Sequence, residues 1–382
     1  MADSPLFGEL TASGWIECDK EGPAHMAKST GSVNYKRSSP RLRKSGAPSA
    51  AAPAAASIYR GLDLGTSRIV LATPNGPSVS YTEALNAFVA LPLTRMTAKM
   101  LEREGFKHEI EGETIYAYGN RVDEFANIFG GDTRRPMQSG LLNPSEPKSR
   151  HMLQRLVEHV CGRAKRNEKI CFSVPSGLDG HESDVIYHEQ SVAQMLEYLG
   201  YEARSVNEGL AVVMAELKDS NFTGIGISFG GGMCNVCVAY LGLPVLTFAT
   251  GRAGDYIDHS TAAVTGKTAT TVRQYKEQKF RLDETGDGDL DQALSIYYFD
   301  MVSTVIDRLK AELSRTQKLP KLHKAIPILF SGGSAQPHGF QALMMRAVKR
   351  ASLPIEISDV LPAKTGMNAT AKGTLVAAML NM

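Results

Sequence analysis

Three short glycine-rich segments hold the residues of this 382-residue chain whose types and spacing suit chemistry. Gly61-Leu62-Asp63-Leu64-Gly65-Thr66 and Gly226-Ile227-Ser228-Phe229-Gly230-Gly231-Gly232 each carry an apolar strand into a turn of small residues and out into a second apolar strand. Such a turn lets backbone approach a ligand closely, and its consecutive N–H groups can converge on an anion. Two of them facing one another would grip the β- and γ-phosphates of a nucleotide from opposite sides. Asp63, where the strand enters the first turn, is placed to hold a magnesium ion through water, since magnesium keeps several waters and takes one or two carboxylates. A third turn, Ser331-Gly332-Gly333-Ser334, follows the apolar run PILF and would lay backbone flat against an adenine ring. One glycine hairpin alone is weak support for phosphate binding; three in order carry more.

The elements that must position these turns follow from hydrophobic patterning. IYRGLDLG with SRIVLATP, and GIGISFGGG with MCNVCVAYLG, read as two strand pairs. Between them lie an irregular stretch to about residue 118, with strand-like AFVALPL and GETIYAYG and a helical piece near TAKMLERE. A helix at 149–165, a buried strand at 169–174, a helix at 181–199 and a short strand near 204–206 follow, and a helix starts at Glu208. The second half continues with helices near 254–265, 268–280 and 290–315, a strand at 327–330, a helix at 338–350, a strand near 354–357 and a last helix at 366–381. Strands alternating with helices of this length imply an α/β architecture. The echo between the two strand pairs implies two similar domains facing across a cleft.

Composition narrows the class. The chain is 43% apolar and 21% charged, that of a folded soluble protein, and it has no apolar run of the roughly 18 residues a spanning helix needs. The first residues, MADSPLFGELTASGW, have neither a basic nor an apolar leader region, so export is not expected. Five cysteines, Cys18, Cys161, Cys171, Cys234 and Cys237, make no disulfide framework and suit a reducing cytoplasm, free or beside a membrane. Residues 1–57 hold seven of the 42 basic and five of the 40 acidic residues, leaving 35 of each beyond them. A neutral body makes nucleic acid an unexpected partner. Ser-, Pro-, Ala- and Gly-rich residues 1–57 read as a disordered low-complexity tail. Its basic cluster from Lys36 to Lys44 has two readings, a solvated linker or an electrostatic tether to an acidic surface such as anionic membrane or an acidic protein.

GLDLGTS, GIGISFGGGMCNVCV and PILFSGGS resemble the phosphate-1, phosphate-2 and adenosine motifs of the actin, heat-shock chaperone and sugar kinase superfamily. YGNRVDEFANIFGGDTRRPMQSGLL, CFSVPSG and EARSVNEGLAVVMAEL are similar to segments of bacterial actins of the MreB and MamK kind, and the similarity covers about 58–382. The resemblance implies an actin-like fold of two RNase H-like α/β domains around a nucleotide cleft: 58–207 plus 360–382 as domain I and 208–359 as domain II. By the same resemblance, Asp63 orients magnesium and Gly65 and Thr66 contact phosphate. Glu208 positions the attacking water, with Asp63 the second catalytic residue. Gly230, Gly231 and Gly232 form the second phosphate turn. Lys276 and Glu277 lie over the nucleoside, Gly332, Gly333 and Ser334 form the adenosine loop, and Gly254 and Asp255 follow the last strand of domain II. The implied ligands are ATP and Mg2+.

Two departures bear on function. Bacterial actins carry aspartate where this chain has Ser228, and threonines where it has Met233 and Cys234. A serine there brings no negative charge, so slow or vestigial hydrolysis is expected, with Ser228→Asp raising phosphate release unless Asp255 has moved into the gap. After Glu277 only about ten residues precede the next helix, implying a reduced subdomain IIB. The expected function is an ATP-binding cytoskeletal protein self-associating into filaments. The alternatives are a non-polymerising chaperone-like scaffold ATPase and a small-molecule kinase of the same fold. Some motifs are set aside. Cys234 and Cys237, three apart on a strand, point to opposite faces and pack. DETGDGDLDQ lacks the glycine and glutamate of a calcium loop. The nine histidines form no ligand pair, and Asp132, Arg134 and Arg135 read as loop solvation.

Overall fold

The computed structural model describes residues 58–381 apart from 166–167, 179–181, 285, 287, 317–319 and 321–323. The tail and its basic cluster lie outside the described residues. β1 (Ile58–Leu64), β2 (Arg68–Asn75) and β3 (Ser78–Leu85) form an antiparallel meander. A small lobe follows, made of β4 (Phe88–Pro92), α1 (Arg95–Glu104), β5 (Lys107–Glu111), β6 (Thr114–Tyr118), α2 (Val122–Phe129) and β7 (Thr133–Arg134). Its four-stranded sheet, in the order β5-β6-β4-β7, closes over a core of its own around Val89, Leu101, Ile115 and Phe125. The sequence reads this stretch as irregular because its strands are five residues or shorter and β5 is mostly exposed. A two-stranded hairpin of β8 (Met137–Gln138) and β9 (Leu141–Leu142) leads to α3 (Ser149–Cys161). Then come β10 (Glu168–Val174), α4 (Glu182–Tyr198), β11 (Glu202–Asn207) and α5 (Glu208–Glu216).

The second half repeats the opening. β12 (Gly224–Phe229), β13 (Cys234–Tyr240) and β14 (Leu243–Thr250) form a second antiparallel meander. α6 (Gly254–Thr265), α7 (Ala269–Gln278) and α8 (Asp289–Arg315) precede β15 (Ile326–Ser331), α9 (Phe340–Ala351), β16 (Ile357–Pro362) and α10 (Ala369–Asn381). Residues 279–288 separate α7 from α8, and no strand occurs among those described. β16 lies a few residues beyond its expected place. It is a half-exposed sheet edge, and pairing to β15 through Ile326–Ile357 and Ile328–Val360 sets its register rather than the apolar LPIE before it.

Both main sheets have five strands in one topology, β3-β2-β1-β10-β11 and β14-β13-β12-β15-β16, with the last two strands of each parallel to the first. α3 and α4 cover one face of the first sheet; α6, α7, α8 and α9 cover one face of the second. α5 and α10 lie between the sheets, packed on one another and on the remaining faces. That explains why α5 is apolar nearly all round, with Glu208 through Ala215 buried. The repeat extends to how each sheet admits its helix. A side chain at Gly61 of β1 would put its Cβ 2.2 Å from the Leu375 nitrogen of α10, and one at Gly226 of β12 would lie 2.1 Å from the Gly209 oxygen of α5. Side chains alternate along a strand, so Asp63 shares Gly61's face and Ser228 shares Gly226's. Both polar residues therefore emerge where the central helix layer ends and a cleft begins.

Candidate functional site

A cavity of about 740 Å³ opens there. Its lining includes Asp63, Gly65, Thr66, Glu208, Ser228, Gly230, Gly231, Gly232, Lys276, Glu277, Gly332, Gly333 and Ser334, every site residue expected from the sequence. The two glycine turns face one another closely. A Cβ at Gly231 would lie 2.5 Å from the Ser67 hydroxyl, and one at Gly232 would lie 2.5 Å from that of Thr66. Thr66 Oγ1 also accepts the Gly140 N–H at 2.9 Å, tying the first turn to the β8–β9 hairpin. On the far side the Ser334 hydroxyl donates to the Gly230 carbonyl at 2.8 Å, pinning the third turn to the second. Lys276 is buried, its ammonium 2.7 Å from Asp258 and 3.2 Å from the Gly254 carbonyl, while Glu277 is exposed at the rim.

Two carboxylates stand at the floor, Asp63 half-buried and Glu208 buried. Asp63 Oδ1 accepts the Ser173 hydroxyl at 2.9 Å; burial raises its pKa, and the Ser173 bond and the Arg68 charge oppose the rise. Glu208, the first residue of α5, is raised by burial and then by the Asp63 charge, against hydrogen bonds from Ser228 and Asn235. The Asp63 charge thus makes ionisation of Glu208 harder, and a cation bound beside them would relieve it.

Several contributors escape sequence reading. Asn235 of β13 is 1% exposed, and its Nδ2 donates to Glu208 Oε2 at 2.9 Å. A lone inward polar residue in the apolar strand MCNVCVAY is the signal that could have found it. Arg134 and Arg135 do more than solvate a loop. Arg134 forks onto Glu146 and covers the Phe88 ring, and Arg135 Nη1 donates to both Asp255 oxygens at 3.0 and 3.1 Å. Asp132 is exposed. Asp255 has therefore not filled the gap left at Ser228: its carboxylate is engaged by Arg135, and its N–H donates to the Gly231 carbonyl at 2.7 Å. Cys234 and Cys237 pack in different cores on opposite faces of the second sheet, and burial pushes the Cys237 thiol up to about 12. Gly288 precedes the first residue of α8, so the DETGDGDLDQ segment runs directly into a helix.

Over residues 58–378 the sequence matches the volactin family. The chain belongs to the volactin family. No curated protein matches it by sequence. The fold of this volactin-family chain is actin-like, shared with solved bacterial proteins. It is similar to the MamK double helical filament structure at 18% identity and a TM-score of 0.65, covering 85% of this chain and 99% of that one. It is also similar to MreB5 of Spiroplasma citri bound to AMPPNP, at 15% identity and a TM-score of 0.61, covering 84% and 96% of the two chains. The ADP-bound MreB5 structure matches likewise, with a TM-score of 0.60 and 15% identity over 83% and 95%. No helix among the described residues is long and apolar enough to cross a membrane.

Proposed function

We propose that this chain binds ATP in the cleft, hydrolyses it slowly and assembles into nucleotide-dependent filaments. The observation that carries the reading is the gathering of all three small-residue turns, Asp63 and Glu208 around one cavity between two sheets of like topology. Likeness in fold to the MamK filament and to nucleotide-bound MreB5 supports it. Facing turns suit the phosphates, the Gly332–Ser334 turn suits the base, and Glu208 suits an attacking water. Phosphoryl transfer to water needs chiefly an oriented nucleophile and charge neutralisation.

Magnesium fits the donor set. Among the described residues no three His, Cys, Asp or Glu side chains gather as a protein cage. One or two carboxylates with phosphate oxygens and water is how magnesium is usually held in nucleotide sites. Asp63 would hold it, and when bound it supplies charge neutralisation. The protein's own part is to keep Asp63 oriented through Ser173, to set the turns and to hold Glu208. A scaffold ATPase that binds ATP without polymerising is the second reading, favoured by the short 279–288 connection.

Calorimetry with Mg-ATP tests the first step, and Asp63→Ala is expected to abolish binding. Gly232→Val, which collides with Thr66 and so separates the turns without any ligand, is expected to abolish binding together with Asp63→Ala. Unchanged affinity in Asp63→Ala sinks the cleft reading. Pelleting followed by negative-stain microscopy, with and without ATP, separates filament from scaffold.

A further inference from the structure

We propose that Asn235 is a positioning residue for Glu208, and that it orients the carboxylate only while the two halves of the molecule touch. The inference rests on the ATPase reading above and deepens it.

The amide of Asn235 has one possible orientation. Its Oδ1 accepts the main-chain N–H of Ser176 at 2.8 Å. A backbone N–H can only donate, so the oxygen must face Ser176 and the Nδ2 must face Glu208. Ser176 lies just after β10 in the first half, whereas Asn235 is on β13 in the second. The Ser176 hydroxyl in turn accepts from Asn207 Nδ2 at 2.8 Å. Asn207 Oδ1 caps α5 by accepting the N–H groups of Gly209 and Leu210 at 3.0 and 3.2 Å. Because Asn207 precedes Glu208 in the chain, the contacts close into a ring: Asn207, Ser176, Asn235, Glu208. Ser176 and Asn207 belong to the first half; Asn235 is carried by the second meander, and Glu208 opens the helix packed on it. If the halves part, Ser176 no longer holds the oxygen, the amide can turn over, and the donor facing Glu208 is replaced by an oxygen that repels it. The Ser228 hydroxyl would then be the remaining side-chain donor to that carboxylate.

The test compares ATP affinity and single-turnover phosphate release in wild type, Glu208→Gln, Asn235→Asp and Asn235→Ala. Asn235→Asp is near-isosteric: one oxygen still accepts from Ser176, and the other faces Glu208 and turns it away. ATP affinity should stay within a few-fold while release slows by about tenfold to a hundredfold, the scale of a misplaced reacting group. Asn235→Ala, which removes the donor without adding charge, should slow release comparably and decides the matter if Asn235→Asp loses ATP affinity. In Asn235→Asp combined with Glu208→Gln, the glutamine amide donates to the aspartate. The urea midpoint should recover toward wild type, which ties the stability lost in Asn235→Asp to its pairing with Glu208. Release stays slow because Glu208→Gln is itself slow, so the positioning role is read from Asn235→Asp and Asn235→Ala, in which release falls while ATP affinity holds. Wild-type release from both Asn235 variants beside a slow Glu208→Gln overturns the positioning role and leaves the ATPase reading standing. If wild type releases no phosphate and Glu208→Gln changes nothing, the ATPase reading falls and takes this proposal with it.

Discussion

At the scale of single residues, the repeat makes Ser228 the counterpart of Asp63 and Ser331 the counterpart of Ser173. Asp63 takes the Ser173 hydroxyl, and Ser228 pairs in register with Ser331, whose buried hydroxyl has no partner among the described residues. An aspartate at 228 would find that donor waiting. Ser228→Asp is therefore expected to raise single-turnover phosphate release at least roughly tenfold, the lower edge of what one preorganised electrostatic contact is worth. The structure adds a cost the sequence does not show. The substitution removes the Ser228 bond to Glu208 and puts a third carboxylate beside Asp63 and buried Glu208. Without ligand the variant should unfold at lower urea than wild type. Unchanged release would show that serine already does the aspartate's work. The buried thiols yield a second expectation. Burial pushes Cys161, Cys171 and Cys237 up to about 12, so at pH 8 these three should resist alkylation until the protein is unfolded. Mass spectrometry of the labelled peptides reads this directly.

At the scale of elements, the cleft exists because two helices come unusually close to two strands. α5 and α10 can lie against β12 and β1 only where Gly226 and Gly61 present no side chain. Gly61→Ala places a methyl group against the backbone of Leu375 and Ala371 at 2.2 and 2.5 Å, atoms that move only if α10 moves. The expected cost is about 1–3 kcal/mol or more, in the range of overpacked cores, visible as a lower urea midpoint. Because α10 packs on α5 as well as on β1, the variant should also weaken ATP binding if α5 sets the position of Glu208. A midpoint within experimental error of wild type would show that α10 shifts freely, contrary to the packing described.

For the whole molecule, an ion pair reaches from the small lobe to the helix beside the cleft. Asp123 on α2 of the small lobe lies 3.5 Å from Arg273 on α7, and Arg273 lines the cavity. Both side chains are partly exposed, so the pair is worth at most about 1 kcal/mol. Asp123→Ala should then speed release of a fluorescent ATP analogue by about two- to fivefold, and raised salt should shrink the difference between variant and wild type. Equal rates at low salt would show that the pair does not hold the lobes together. Assembly belongs to this scale as well. Residues 58–382 contain every described element, so that body alone is expected to form filaments with ATP, read by pelleting and microscopy. If only the full chain polymerises, residues 1–57 take part in assembly.

The sequence by itself determined the two glycine-turn hairpins, their repeat and the α/β order. Apolar alternation and small-residue turns are local signals, legible within a dozen residues. It also pointed to the turn residues that line the cavity; Glu208, Lys276 and Glu277 came from the family resemblance, and Asn235 and Arg273, which line it too, were not named. Contacts between segments far apart in the chain were decided only by tertiary structure. Glu208 meets Asn235 across 27 positions, Ser176 meets Asn235 across 59, and Arg135 meets Asp255 across 120. Nothing in the local pattern around any of these residues names its partner. The meetings follow from packing two sheets about a shared helix pair, which brings the ends of β10, β11 and β13 to one point. For the same reason the small lobe was read only in pieces: AFVALPL, GETIYAYG and the helix near TAKMLERE were legible, while β5, α2 and β7 were not, and the strands become a sheet only once each has found the next.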